Sequence, residues 1–302
     1  MDHLSIKRIL ITGGLGYIGS ETFKMVQEYY PECLAIDKLV DVSGNVQSLD
    51  LKDAAKTSKI ITNFKPDVII HCATHSALAY RDHLLNSFQE DFSATVNILN
   101  ALVGLPDCRF IYLSSSYVYS GLPADRNYDE SSPLAPQHNF GIVKSFFEQF
   151  ILKIHPNTVV FRLCSVFGSG QAMHPNVTLA FAQECLKNHS LTVWGKGERK
   201  LQYIYIKDVV NIILRSLTAG IYNLGGDDYV SVRDTADDIA KFFRVKVNFL
   251  ENKPEGETLP FLSNQKIKNN LKNDLFTPFS IALNEYLKSL DLLRKGFRSE
   301  MK

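Results

Sequence analysis

A doubly wound parallel α/β sheet followed by a smaller C-terminal α/β lobe is the fold class this sequence predicts. Short all-apolar runs recur through the first 168 residues, each separated from the next by a helical pattern. Strands that are apolar on both faces suit a parallel sheet covered by helices on both sides. A glycine loop follows the first run and opens the first helix. After residue 168 the rhythm changes to mixed strand, turn and helix units. The expected division is a nucleotide-binding unit at 1–168, to which later segments return, and a second lobe at 169–302.

The elements follow in order. "RILIT" (8–12) is the first strand, and an amphipathic stretch near 17–28 the first helix. "CLAID" (33–37), "DVIIHCA" (67–73), "RFIYLSSS" (109–116) and "TVVFRLCSVFG" (158–168) are the next strands. Long helical patterns fill 83–104 and 138–155. Right-handed crossovers between such strands give the doubly wound order. A helix near 175–188 opens the second lobe. It is followed by "LTVWGKGERKLQYIYIKDVV" and "GIYNLGGDDYVSVRDTADDIAKFF", and the polar "ENKPEGETLPF" reads as a loop.

The 302 residues are 45% hydrophobic and 22% charged, ordinary for a globular chain, and a net charge of +1 argues against a nucleic-acid partner. The apolar runs are strand-sized, so no membrane span is expected, and the N-terminus runs directly into a strand rather than a targeting segment. Cys33, Cys72, Cys108, Cys164 and Cys185 are odd in number and scattered, without CxxC pairs. They read as small buried hydrophobes in a reducing, cytoplasmic setting, and no metal site is expected.

"ITGGLGYIGS" sets Gly13, Gly16 and Gly19 between a strand and a helix. A tight turn needs a backbone that tolerates positive φ, and a pyrophosphate needs close approach to main-chain N–H groups at a helix N-terminus. Asp37, at the end of the second strand, is placed to accept hydrogen bonds from an adenosine ribose diol. A 2′-phosphate there would meet like charge, so NAD is expected over NADP. Lys38, next door, is a cation that could partly receive such a phosphate.

With "TGGLGYIG", "HCAT", "LSSSYVYSG", "FGIVK", "RLCSVFG" and "YIYIKD" in this order, the chain resembles the extended short-chain dehydrogenase/reductase family, and within it the nucleotide-sugar epimerase/dehydratase branch. The resemblance runs over essentially the whole chain. It implies a Rossmann sheet that binds NAD through Gly13, Gly16, Tyr17, Ile18 and Gly19 at the pyrophosphate and Asp37 and Lys38 at the ribose. It implies Asp50 and Leu51 beside adenine, and Cys72, Ala73, Thr74 and Ser114 along the middle. Lys144 would hold the nicotinamide ribose. A nucleotide sugar is the implied substrate, with Ser76, Ser116, Tyr117, Ser165, Arg199 and Gln202 as its contacts. The helices at 83–104 and 138–155 carry more apolar residues than one buried face requires, and the resemblance implies that they pair in a homodimer.

The family's catalytic set is a Ser or Thr, a Tyr and a Lys. Ser115 and Lys144 fall on the first and last positions. The tyrosine position is Phe140, one helical turn before Lys144. Oxidising a sugar hydroxyl releases a hydride and a proton, and a phenol whose pKa is lowered by a neighbouring lysine takes that proton. Phenylalanine keeps the ring and loses the oxygen. Three readings stay open: an introduced Tyr→Phe change, a natural chain using another base such as Tyr117 or a water, and a protein that binds without turnover. Family dehydratases carry an acid just before the "VY" pair, where this chain has Ser116 and Tyr117. The expected reaction is therefore hydride transfer at a sugar carbon, C4 first, of the epimerase or 4-dehydrogenase type. A 4-keto reductase, a dehydratase and a non-catalytic NAD-binding protein are the alternatives.

Overall fold

The computed structural model describes residues 6–170, 176–215, 217–271 and 275–300, with side chains through 292. The first half runs β1 (Arg8–Thr12), α1 (Tyr17–Tyr29), β2 (Glu32–Asp37), β3 (Val46–Ser48), α2 (Ala54–Phe64), β4 (Val68–His71), α3 (Ala77–Asp82), α4 (Leu84–Leu102) and β5 (Arg109–Ser115). After a short 3₁₀ turn at Ser116–Tyr119 come β6 (Asn127–Tyr128), α5 (Asn139–Ile154), β7 (Thr158–Leu163) and β8 (Ser165–Phe167). The remainder is α6 (Val177–Asn188), β9 (Ser190–Trp194), β10 (Lys200–Tyr205), α7 (Ile206–Ile213), β11 (Gly220–Leu224) and β12 (Tyr229–Ser231). It closes with α8 (Val232–Phe243), β13 (Lys246–Leu250), β14 (Phe261–Leu262), α9 (Gln265–Leu271) and α10 (Phe279–Glu300).

Seven strands form one parallel sheet in the order β11-β7-β5-β4-β1-β2-β3. The period-2 geometry of a strand explains its composition. Ile9 and Ile11 of β1 enter the core on one face with Ile70 and Phe161, while Leu10 enters the other with Ile69, Phe110 and Tyr112. Each fully buried Leu, Ile or Phe contributes about 1.5–3 kcal/mol, which is why apolar side chains dominate both faces of these strands. The second lobe is built on a three-stranded sheet, β12-β10-β8, with Phe167, Tyr203 and Phe279 stacked in its own core.

Three features depart from the sequence reading. The run at 158–168 is two strands: β7 belongs to the large sheet and β8 to the small one, with Cys164 as the joint. The stretch between the second and third expected strands holds β3 and α2, the latter capped by the Asp53 side chain, which accepts from Lys56 N. The long pattern at 83–104 is preceded by a separate turn of helix, α3, and begins after His83 leaves helical geometry. Among the described residues, no helix is long and apolar enough to cross a membrane.

Candidate active site

The carboxyl ends of β1, β2, β4 and β5 open onto one cavity of about 780 Å³. At its floor, Gly13 turns at φ +71°, and a Cβ there would lie 2.8 Å from Ala73 N. A Cβ on Gly19 would stand 2.0 Å from the Gly13 carbonyl oxygen, so that glycine lets α1 approach the loop rather than lining the cavity. Gly16, Tyr17 and Ile18 line it at the start of α1, where the first helical N–H groups have no partner within the helix.

At the end of β2 the Asp37 carboxylate is fixed by two backbone donors, Leu15 N and Leu39 N, each at 3.0 Å. Each oxygen keeps a lone pair for a further donor. Lys38 does not stand free beside it: its ammonium lies 3.6 Å from Glu90, a residue of α4 that also pairs with Lys52 at 3.0 Å. Asp50 and Leu51 line the same end, the Asp50 carboxylate accepting from Lys52 N.

Along the middle, Cys72, Ala73 and Thr74 follow β4 into the cavity, Ala73 N donating to Thr12 Oγ1 at 3.3 Å. Sequence reasoning missed the group beside them. His75 Nδ1 lies 2.6 Å from Asp91, whose other oxygen accepts from the Tyr80 hydroxyl at 2.6 Å. These residues meet only through the packing of α3 on α4, and no local motif announces them.

Helix α5 presents Phe140, Lys144 and Glu148 at successive turns toward β5 and β7. Lys144 is buried, and its Nζ donates to Leu113 O at 2.8 Å and to Thr74 Oγ1 at 3.1 Å. Burial pushes its pKa down to about 8, against the pull of Asp91, Glu148 and Cys72. Ser115 lines the cavity at the end of β5, and its neighbour Ser114 donates to Glu148. Glu148 is held in turn by Arg162 of β7 in a buried pair at 2.7 Å. The Phe140 ring also lines the cavity, against Tyr80 and Tyr117, with the Lys144 nitrogen 5.4 Å from its centroid.

A model described as the NAD dependent epimerase/dehydratase family matches residues 9–225. The chain belongs to this family. Among curated relatives, the dTDP-D-glucose 4,6-dehydratase of Dictyostelium discoideum is 29% identical over 79% of this chain and 62% of its own length. The chain thus spans under two thirds of that relative. A putative UDP-glucose 4-epimerase of Methanocaldococcus jannaschii is 27% identical over 82% of this chain and 87% of its own. Among solved structures, the UDP-glucose 4-epimerase of Thermus thermophilus in complex with NAD superposes with a TM-score of 0.81 at 21% identity, covering 93% of this chain and 98% of that one.

The residues of this family member fit the dinucleotide its family uses. The Gly13 turn leaves no room for a side chain, the α1 N-terminus offers backbone donors, and the Asp37 carboxylate is oriented as an acceptor. Among the described residues, no cluster of three or more His, Cys, Asp or Glu could hold a metal.

The substrate-side expectations divide. Ser76 lines the cavity while capping α3. Ser116 is buried, and Tyr117 and Ser165 are half-buried, none of them in the cavity wall. Tyr117 lies behind Phe140 with its ring against His138. Arg199 donates its Nε to Glu257 O at 2.8 Å, under the segment that follows β13. Gln202 is outside the cavity wall: its amide donates to Gly226 O and Leu262 O and its oxygen accepts from Leu262 N, tying β10 to β14. The segment after β13 is a loop, as expected, and it is anchored by Glu255, whose carboxylate accepts from the backbone of Lys196, Gly197, Glu198 and Arg199.

Proposed function

We propose that this chain catalyses NAD-dependent hydride transfer at a carbon, C4 first, of a nucleotide-linked sugar, with an epimerase or 4-dehydrogenase outcome. The observation that carries this reading is the row formed by Ser115, Phe140 and Lys144, in one cavity with the Gly13 turn and Asp37. When bound, NAD supplies the hydride acceptor. The chain supplies the rest. Asp37 and the glycine turn fix the dinucleotide, the Ser115 hydroxyl orients the reacting sugar oxygen, and Lys144 brings a proton-exchanging nitrogen beside it. The dehydratase names among the relatives bring dTDP- and UDP-hexoses into the substrate class. Dehydration itself is disfavoured, because Ser116 and Tyr117 stand where an acid would be needed.

Residues 169–302, apart from the segment that returns to the large sheet as β11, are the lobe we assign to the nucleotide half of the substrate. A homodimer through α4 and α5 belongs to the same reading. Phe88, Phe92, Phe146 and Phe150 form one ring cluster there, and Phe146, Ile142 and Ile154 remain exposed on α5. Light scattering at micromolar concentration should give twice the chain mass, and a monomer would refute the dimer. A cytoplasmic location is supported by five unpaired thiols.

Phe140 favours a second reading, a family member that binds NAD without turnover. The two separate in one assay on UDP- and dTDP-hexoses. Absorbance reports net oxidation and NMR of the product reports epimerisation. Hydride transfer with any of these sugars supports the proposal. Cofactor binding with no transfer, even in a Phe140→Tyr variant, supports the binding protein.

A further inference from the structure

We propose that Lys144 is itself the proton-exchanging group of this chain: its buried amine, held between two neutral acceptors beside the apolar ring of Phe140, takes the sugar hydroxyl proton that a phenol would otherwise take. The inference rests on the reading that the chain oxidises a sugar hydroxyl.

The hydrogen bonds of the nitrogen carry it. A neutral amine has two N–H donors and one lone pair, whereas an ammonium has three donors and none. Lys144 Nζ has two hydrogen-bond partners, Leu113 O at 2.8 Å and Thr74 Oγ1 at 3.1 Å. These use both donors of the neutral form and leave its lone pair for the cavity that Lys144 lines with Ser115 and Phe140. Among the described residues, the other groups recorded beside the nitrogen are ring faces, Tyr112 at 4.8 Å and Phe140 at 5.4 Å, so the fourth position of the nitrogen is the one open to a reacting oxygen.

The surrounding groups oppose one another. Asp91 from α4, Glu148 from the next turn of α5 and Cys72 after β4 favour the ammonium, as does the Tyr112 ring face. Tyr80 of α3 and Tyr112 of β5 are kept as phenols by burial, and His71 of β4 as a neutral imidazole. Among the described residues no carboxylate makes an ion pair or hydrogen bond with Lys144. Burial therefore outweighs them, and a pKa pushed down to about 8 leaves about a tenth of the amine free at pH 7, far more than an ordinary lysine.

The step balances. The carbinol C–H bond yields its electron pair as hydride to NAD⁺, the O–H bond breaks, the carbon–oxygen bond becomes a carbonyl, and the proton forms the third N–H bond of Lys144. In the reverse direction the ammonium returns that proton.

The test begins on the full chain without substrate. In ¹H–¹³C spectra of ¹³C-lysine-labelled protein, the Lys144 methylene signals should be displaced upfield by the two rings and be absent in Lys144→Arg. They should titrate near pH 8. A midpoint near the ordinary ≈ 10.4 overturns the proposal. With a reacting sugar, hydride transfer should rise tenfold per pH unit to about pH 8 and then level. Lys144→Arg keeps the charge but cannot accept a proton. It should lose about 10²-fold or more in transfer when compared at saturating NAD⁺ and sugar. Transfer that survives in Lys144→Arg overturns the proposal. If no sugar reacts, the reading under Proposed function fails, and the titration still decides the state of Lys144. If Lys144→Arg does not fold, the ring-shifted signal in the unmodified chain decides it.

Discussion

On the proposed reading that Phe140 occupies the family's tyrosine position, one oxygen is missing from the cavity wall beside Lys144. Because Lys144 already exchanges the proton, Phe140→Tyr should change turnover of a true substrate by less than about tenfold, whereas a gain of about 10²–10⁴-fold would mean that the chain as it stands lacks a working base. Single-turnover hydride transfer measures it. Asp37 carries the second residue-scale prediction. Its carboxylate is held by two backbone N–H groups and Lys38 is engaged by Glu90, so little cationic charge is free for a 2′-phosphate. NAD(H) should bind more tightly than NADP(H) by about 1–3 kcal/mol, read by fluorescence titration, and equal affinities would refute the assignment. Most of the cofactor end was legible in the sequence, because the glycine spacing and a strand-end acid are local signals. Glu90, His75 and Asp91 were not, since they reach the cavity only through helix packing. The hydrogen bonds of Gln202 were not legible for the same reason: its partners lie 24 and 60 residues away.

At the scale of elements, α5 is the member that joins fold to chemistry. Its inward stripe is Phe140, Lys144 and Glu148, four residues apart each time, and only the first two were read from the sequence. Glu148 escaped because its meaning depends on Arg162, a β7 residue that faces it only once the sheet forms. The pair is buried on both sides, and breaking it leaves an uncompensated guanidinium. Glu148→Ala should therefore destabilise the chain by about 3–5 kcal/mol, whereas an apolar pair such as Glu148→Leu with Arg162→Met should recover most of the loss. Denaturant midpoints test both. The strands of the large sheet were legible as apolar runs. The division at Cys164 was not, because β7 and β8 are continuous in composition and differ only in which sheet receives them. β3 was too short to register, with three residues, and α2 was passed over although Asp53 caps it and Ile61 anchors it in the core.

For the whole molecule, the sheet interior sets a pH limit. His71 is fully buried, its Nδ1 2.7 Å from Thr12 Oγ1, and desolvation pushes its pKa from 6.5 down to about 4. The unfolded chain binds this proton first as pH falls, so stability drops between about 6.5 and 4 and is steady below. The loss from this group should approach about 3 kcal/mol at pH 4, measured by denaturant midpoints across that range and compared with His71→Gln, where the decline should be shallower. The order of strands has a consequence for synthesis. The edge partner of β7 is β11, so the large sheet takes its last strand from residues 220–224, after much of the second lobe. While a ribosome extends the chain from Leu163 to Leu224, at about 5–20 residues per second, the apolar strand "TVVFRL" waits for roughly 3–12 s with one side unpaired. An unpaired apolar edge invites pairing with other chains. The nascent protein thus has a built-in interval of vulnerability, and its length is set by how quickly the second lobe is made.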